Sequence, residues 1–385
     1  MASAMELDKI PDYLDSLRDD APEDLVHYFL EFQDAWERKL WHELTNKLLE
    51  YFDQPGSKST RLSLYNNFIR TFAEKINKLS LVSLGLVAAL ECEDKAEQLA
   101  MKKALADRVN KPDSQDAYVL ARVAIAQAYL EDQDFAEARK ILDECESILD
   151  TFDSVETVVH ASFYRENADY FKGKYEYAPF YKNALLFLAC VDIADLPVPE
   201  KRMRAYDLAI AALVSDSIYN FGELLLHPIL DSLSGTEKSW VRDLLFAFNR
   251  GDLKAYDKLR PKIEGDGFLS QFQRDLYQKL ALSALTETVF KRAPHDRTMT
   301  FAAISAETKI KSDEIEYMIM KALSLGLVRG SIDQVAEIAR INWVQPKVLD
   351  KGQIMGMRTR LKEWDGSVHR LGTWIEQKGQ DVWAA

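Results

Sequence analysis

The residues that could carry out chemistry are most closely grouped in the segment HELTN, at His42, Glu43 and Asn46. A zinc-binding helix of the protease type needs a second histidine four residues after the first, so that both rings lie on one face of the helix. Asn46 stands at that position. We therefore expect no metal site and interpret His42 as an ordinary histidine of a helix. The other histidines are dispersed: His27, His160, His227, His295 and His369.

The three cysteines, Cys92, Cys145 and Cys190, do not indicate a nucleophile or a disulfide framework. Cys145 and Cys190 lie in apolar segments, which predicts core thiols whose pKa is raised by burial. Cys92 lies between Glu91 and Glu93, and these like charges disfavour its thiolate. Scattered free thiols fit a reducing compartment, so we expect the protein in the cytoplasm and the nucleus.

No other group of residues predicts an enzyme or a bound cofactor. The glycines are isolated, and no Gly-Lys-Ser/Thr sequence follows a strand, so a phosphate-binding loop is not expected. Carboxylate pairs such as Asp132 and Asp134 are typical of turns and solvated helix faces in an acidic chain. The sequence thus predicts a protein that is not an enzyme and that needs no cofactor.

The balance of acidic and basic residues limits the classes of partner that the chain is expected to bind. The chain has 62 acidic and 49 basic side chains, a net charge of −13, which does not favour a nucleic-acid partner. The acidic N-terminal segment lacks the basic and apolar layout of a signal peptide. The longest apolar stretches, 81–90 and 184–191, are shorter than the roughly 20 residues that cross a bilayer. We expect neither a membrane segment nor a nucleic-acid partner.

Apolar residues recur at spacings of three and four nearly everywhere before residue 327, which predicts helices and almost no strands. In the segment 115–152, alanines form a stripe on one helix and larger apolar residues, from Phe135 to Phe152, form a stripe on the next. Segments similar to the turn around Phe135 recur near Tyr175, Ile218 and Leu253, at a spacing of about forty residues as in helical-hairpin repeats. The predicted fold is mainly all-α, a right-handed stack of TPR- or HEAT-like hairpins.

Residues 297–345 predict a winged helix. Thr300 can cap a helix over Phe301–Thr308, and a second helix follows in the segment DEIEYMIMKALS until Gly326 ends it. The alternating segments LVRGSID and EIARINWV then predict a small antiparallel β hairpin, the wing. The second helix opens with acidic residues, which would repel a phosphate backbone.

Residues 346–385 combine a regular apolar seam with interior glycines. Their apolar residues alternate spacings of three and four, as in a helix that packs against other helices. Each glycine lowers the stability of a helix interior by about 1 kcal/mol relative to alanine, so we expect partner helices to stabilise this one. The expected partner-binding residues are Ile354, Met357, Leu361, Trp364, Val368, Leu371 and Ile375.

Helical repeats followed by a winged helix are the arrangement of PCI proteins, and four segments carry a closer resemblance. DEIEYMIMKALSLGLVRGSID (313–333) followed by WVQPKVLDKGQIMGMRTRLKEW (343–364) resembles the family of the ninth non-ATPase subunit of the 26S proteasome regulatory-particle lid. RKLWHELTNKLLEYFDQP (38–55) and LLFAFNRGDLKAYDKL (244–259) are similar to the same family. The resemblance therefore covers most of the chain.

The resemblance implies a non-catalytic scaffold subunit in a hetero-oligomer, with a role in lid assembly and ubiquitin-dependent protein degradation. The implied partners are a neighbouring PCI subunit, the deubiquitinase module and the ubiquitin receptor. The residues themselves agree, because a partner's strand can extend an exposed wing edge; a hairpin that only closes its own domain is the alternative. The expected wing-edge residues are Leu327, Val328, Arg329 and Ile332.

A second hypothesis is a PCI scaffold of another complex, such as the signalosome, a translation initiation factor or an mRNA-export complex. In that case Lys309, Lys311, Arg329 and Arg340 would contact RNA phosphates through the winged helix. The acidic start of the second winged-helix helix argues against this hypothesis.

The chain of 385 residues suits two or three domains. The change from helical repeats to a winged helix and then to a single long helix sets the expected boundaries. These are an N-terminal segment (1–20), N-terminal helical repeats (21–180), the helical part of the PCI domain (181–296), its winged helix (297–345) and the C-terminal partner-binding helix (346–385).

Overall fold

The structure is a computed structural model that describes residues 10–20, 22–152, 156–292, 296–346 and 351–383. The chain divides into two compact units, Met1–Asp195 and Leu196–Ala385. The prediction of a mainly all-α fold, with helical hairpins, a winged helix and a long C-terminal helix, is confirmed. None of the helices in these ranges is both long and apolar enough to cross a lipid bilayer.

The first unit is built from antiparallel helices around apolar cores. Its helices are α1 (Ile10–Asp20), α2 (Val26–Glu37), α3 (Trp41–Asp53), α4 (Lys58–Leu64), α5 (Arg70–Phe72), α6 (Lys78–Ala89), α7 (Lys95–Val109), α8 (Gln115–Glu131), α9 (Phe135–Leu149), α10 (Thr157–Gly173) and α11 (Tyr177–Cys190). Large aromatic side chains such as Phe29 and Phe68 fill one core. In another, Leu142 and Phe163 pack around α8. Ala117 and Ala121 of α8 are buried there, as the alanine stripe predicts.

The second unit contains further helix pairs, the winged helix and the C-terminal helix. Its elements are α12 (Val198–Val214), α13 (Gly222–Leu226), α14 (Ser239–Arg250), α15 (Leu253–Gly265), α16 (Gln273–Lys291), β1 (Thr298–Thr300), α17 (Phe301–Thr308), α18 (Ser312–Ser324), β2 (Val328–Asp333), β3 (Ile338–Val344) and α19 (Lys351–Trp383).

One turn geometry recurs between paired helices. After α8, Gln133 has a left-handed backbone with φ of 61°, and Asp134 then caps α9. The Gln133 N–H donates to the carbonyl of Leu130, and the Asp134 N–H donates to the carbonyl of Tyr129. These are the two hydrogen bonds of a Schellman motif. The same pair of bonds follows α2, α10 and α14, with the left-handed residues Lys39, Tyr175 and Gly251.

The segment near Ile218 does not have this turn geometry, so the prediction of a similar helical-hairpin turn there is wrong. Ser215, directly after α12, has an extended backbone (ψ 135°) and does not turn the chain back at once. The segment from Ser215 to Phe221 then leads to the short helix α13. The prediction that Phe152 belongs to the apolar stripe of this helix is also wrong, because α9 ends at Leu149.

The winged helix forms as predicted. Thr300 caps α17 by accepting a hydrogen bond from the N–H of Ala303. Gly326, with φ of 68°, ends α18 in another Schellman turn. The apolar stripe of α18, including Ile315 and Ile319, packs with residues of the sheet in one core.

The sheet has the strand order β1-β3-β2, and both pairings are antiparallel. The expectation of almost no strand before residue 327 missed β1, which is only three residues long. A β-bulge interrupts the pairing of β2 with β3 between Arg329 and Gly330. A side chain at Gly330 would bring a Cβ atom within 2.1 Å of the carbonyl oxygen of Arg340, so this close approach requires glycine.

α16 contains a continuous buried stretch, since every residue from Lys279 to Glu287 is buried. The Lys279 ammonium donates to main-chain oxygens at the C-terminal end of α12, including that of Ala212 at 2.6 Å and that of Ser215. A cation is favourable there because the carbonyl end of a helix is negative. Burial lowers the pKa of Lys279 to about 7, although the Asp216 carboxylate acts in the opposite direction.

Candidate protein-interaction surfaces

The C-terminal helix α19 exposes its apolar seam. Every side chain described on it, from Ile354 to Lys378, is exposed. The seven residues of the seam keep 43–67% of their surface in contact with solvent. A continuous row of exposed large apolar side chains is typical of an interaction site. The row consists of Ile354, Met357, Leu361, Trp364, Val368, Leu371 and Ile375.

Among the described residues, a hydrogen bond from Arg360 joins α19 to the body of the second unit. The Arg360 guanidinium donates to the carbonyl oxygen of Lys291 at 2.6 Å. Lys291 is the last residue of α16, so Arg360 satisfies a carbonyl that the helix itself leaves without a partner. The contact is exposed to solvent and leaves the seam uncovered.

Three glycines of α19, Gly356, Gly366 and Gly372, have open space where a side chain would be. Close packing within this chain therefore does not require them. Each still lowers helix stability by about 1 kcal/mol relative to alanine. α19 is thus a helix of low intrinsic stability that displays a row of apolar side chains.

The wing edge is the second surface predicted from the sequence. β2 lies at an edge of the sheet, since β3 is its only strand neighbour among the described residues. Leu327 and Val328 are buried, so their side chains belong to the domain core. Arg329 is exposed and its guanidinium lies 4.6 Å from the ring centre of Trp343, while Ile332 is half-buried. Only the backbone and alternate side chains of β2 face outward.

The HELTN segment carries no metal-binding geometry. His42 lies on the exposed face of α3, and its Nε2 atom is 3.3 Å from the side-chain nitrogen of Asn46. Asn46 therefore occupies the place of a second ligand. Within the described ranges, no group of three or more His, Cys, Asp or Glu side chains is arranged to hold a metal ion.

The cysteines differ in burial. Cys145 is fully buried, which raises its pKa to about 12. Cys190 is only half-buried, so its interpretation as a core thiol is wrong, although partial burial still raises its pKa. Burial also raises the pKa of Cys92, and the charge that adds to this effect is Glu97 rather than the flanking glutamates.

A cleft of about 490 Å³ lies between α16 and α18 and was not predicted from the sequence. Its walls carry both charges, with Arg274 and Lys321 opposed by Asp313 and Glu314. Such a lining does not favour a polyanion. The sequence feature that could have indicated this cleft is Tyr317, an exposed aromatic residue outside the apolar stripe of α18.

Helical hairpins followed by a winged helix and a long exposed helix define the chain as a PCI protein, and comparison with known families agrees. Residues 28–245 match the family described as PSD13 N-terminal repeats. Residues 253–343 match the PCI domain, and residues 347–379 match the family described as Rpn9 C-terminal helix.

Relatives of similar length narrow the class further. The chain is 40% identical to "Probable 26S proteasome regulatory subunit rpn9" of Schizosaccharomyces pombe, over 96% of this chain and 97% of that protein. It is 38% identical to "26S proteasome regulatory subunit RPN9" of Saccharomyces cerevisiae, over 98% of each. It is 35% identical to "26S proteasome non-ATPase regulatory subunit 13 homolog B" of Arabidopsis thaliana, over 97% of this chain and 99% of that protein. The chain belongs to this Rpn9 family of proteasome regulatory subunits, which confirms the resemblance.

Proposed function

We propose that the chain is a non-catalytic structural subunit of the 26S proteasome lid, which supports lid assembly and thereby ubiquitin-dependent protein degradation in the cytoplasm and the nucleus. The observation that carries this proposal is the exposed seam of α19, in the segment that matches the C-terminal helix of the family. Its partners are other lid subunits, with a neighbouring PCI subunit, the deubiquitinase module and the ubiquitin receptor as the specific candidates.

The seam has enough apolar surface to drive association. Full burial of a side chain of the size of leucine or phenylalanine contributes about 1.5–3 kcal/mol. The seven seam residues retain about half of their surface, so burying them contributes on the order of 5–10 kcal/mol before the costs of association. A helix bundle formed with other subunits is the arrangement that covers a narrow seam of this kind along its whole length.

The wing edge is the proposed contact for the neighbouring PCI subunit. A strand from that neighbour would bond to the free side of β2, where recognition depends on the backbone. The bulge at Arg329 and Gly330 leaves the segment 330–333 as the regular part of this edge. A photo-reactive amino acid at Ser331, exposed on β2, is expected to cross-link a PCI subunit of the assembled lid; a lid in which Ser331 cross-links nothing argues against this contact.

The experiment that tests the main proposal replaces Leu361 and Trp364 by aspartate in the full chain, expressed with a tag in cells. Because both side chains are exposed in the subunit, the variant should fold with an unchanged unfolding midpoint. Native mass spectrometry of the purified tagged protein should show the wild type in the proteasome lid and the variant outside it. Normal incorporation of the variant would contradict the proposal.

A matched control separates the seam from the rest of the helix. Thr359 and Thr373 are exposed polar residues on the opposite side of α19. Their replacement by aspartate introduces the same charge and should leave incorporation unchanged. If the control variant is also excluded from the lid, the loss reflects added charge on α19 rather than the loss of the seam.

The RNA-binding hypothesis is not favoured. Lys309 forms an ion pair with Asp257 at 3.2 Å, and Arg329 stacks on Trp343. The exposed start of α18 carries Asp313 and Glu314, which would repel phosphates.

A further inference from the structure

The charges on α19 are unevenly distributed. Between Ile354 and Lys362 the helix has three basic side chains, Arg358, Arg360 and Lys362, and no acidic one. The chain as a whole has more acidic than basic residues, so this part of the helix is a local exception.

Two of these basic residues flank the seam. At 100° per residue, Arg358 and Arg360 lie on opposite sides of the line through Met357 and Leu361. They occupy the positions at which charged residues of packed helices pair across the interface and select partners. Lys362 points roughly 140° away from the middle of the seam.

This chain does not neutralise the flanking positive charge. In the part of the chain that the structure describes, neither Arg358 nor Lys362 forms a hydrogen bond or an ion pair, and Arg360 contacts only the uncharged carbonyl of Lys291. Like charges at a spacing of four, as at Arg358 and Lys362, repel each other and destabilise a helix. An external acidic partner would remove this cost.

The second half of the seam is different. Trp374 lies beside Leu371 and Ile375 and widens the apolar face, and Gly372 on the other flank leaves the backbone open to close approach. The charged residues that flank this half, Glu376 and Lys378, have opposite signs, whereas the first half has its apolar row between two cations.

We propose that the partner of the first half of the seam is a helix whose own apolar row is flanked by acidic side chains that face Arg358 and Arg360. This inference rests on the proposed function, since it assigns the chemistry of the partner that covers the seam. A second copy of α19 fits less well, because the acidic residues beside its seam, Asp365 and Glu376, lie on the flank of Arg358 only and cannot match both arginines. Opposite charges across a helix interface determine which partners pair.

The test compares two double variants of the full chain, each co-expressed with the untagged wild type. Arg358→Glu with Arg360→Glu reverses the flanking charges, and Lys362→Glu with Arg370→Glu makes the same change in net charge on the side away from the seam. We expect the first variant to be incorporated into the lid about tenfold less than the wild type and the second to be incorporated normally. Arg358→Glu alone keeps the bond from Arg360 to Lys291 and should show part of the loss.

Equal incorporation of both double variants, whether normal or reduced, would overturn the inference, because the flanking position would then have no special role. A photo-reactive amino acid at Met357 identifies the neighbour directly. A cross-linked helix with Asp or Glu beside its apolar row supports the inference, and one without them, or a second copy of this chain, overturns it. If the Leu361 and Trp364 variant is excluded from the lid while the arginine variant enters normally, the proposed function stands and only this inference fails.

Discussion

The helices α16 and α19 lie in the same compact unit and have opposite relations to solvent. In α16, every side chain from Lys279 to Glu287 is buried, whereas in α19 every described side chain is exposed. The sequences explain the contrast. Between Lys279 and Glu287, the buried stretch LALSALT has small or apolar residues on all sides, while α19 has a single apolar row on a polar helix.

The difference shows where the stability of each helix comes from. α16 is held by tertiary packing and by Lys279, which joins it to the end of α12. Among the described residues, α19 has interior glycines with open surroundings and is joined to the body by the exposed hydrogen bond of Arg360. Short-range helix propensity is a weak source of stability, so we propose that α19 gains stability from contacts with partner helices.

The largest expected difference in stability comes from replacing one leucine in each helix. Leu280→Ala removes a fully buried side chain and should lower the free energy of unfolding by about 2–5 kcal/mol. Leu361→Ala, at an exposed position, should change it by less than about 0.5 kcal/mol. Urea denaturation followed by circular dichroism measures both. A comparable loss at Leu361 would mean that the seam is already packed in the isolated subunit.

A second test compares the cations that join helices. Lys279→Met leaves main-chain oxygens of Ala212 and Ser215 buried without their donor, so we expect a loss of about 2–3 kcal/mol. Arg360→Met removes an exposed bond and should cost less than about 1 kcal/mol. The same denaturation experiment measures both, and a tolerated Lys279→Met would show that water or neighbouring groups replace the ammonium.

The pKa of Lys279 gives a pH-dependent form of this contrast. Burial lowers this pKa from 10.5 to about 7 in the folded protein, so between these pH values the unfolded chain binds a proton that the folded chain releases. The stability contributed by this group therefore rises with pH, by about 1–2 kcal/mol from pH 7 to 8.5. The difference in unfolding free energy between wild type and Lys279→Met isolates this effect, and a difference that falls or stays constant over this range contradicts the shift.

The amphipathic elements could be predicted from the sequence because their signals are local. The stripe of α18, the cap at Thr300 and the glycine that ends α18 each depend on residues within a few positions of one another. The row of α19 was likewise read from its spacing, although its role as an interface remains a prediction. The boundary after residue 180 also remains a prediction; the compact units divide after Asp195.

Features formed by residues far apart in sequence could not be predicted. β1 is a strand because residues some forty positions later pair with it. The role of Lys279 could not be predicted because its hydrogen-bond acceptors lie 64 to 67 residues earlier. The cleft beside Tyr317 also needs two helices to meet. The predicted hairpin turn near Ile218 is absent because similarity of sequence does not by itself place a residue in the left-handed conformation.

The smallest expected effect on stability comes from replacing a glycine of α19 by alanine. Gly366 lies on the side of α19 away from the seam and has open space around it, so Gly366→Ala should stabilise the helix by about 1 kcal/mol and slow hydrogen exchange of nearby amides about fivefold. Gly251→Ala is the control with the opposite sign, because Gly251 has φ of 63° and a new Cβ would lie 2.5 Å from the Cα of Ala284. Unchanged exchange in Gly366→Ala would contradict the conclusion that α19 lacks stability of its own, because a helix already held by other contacts would not gain protection from this alanine.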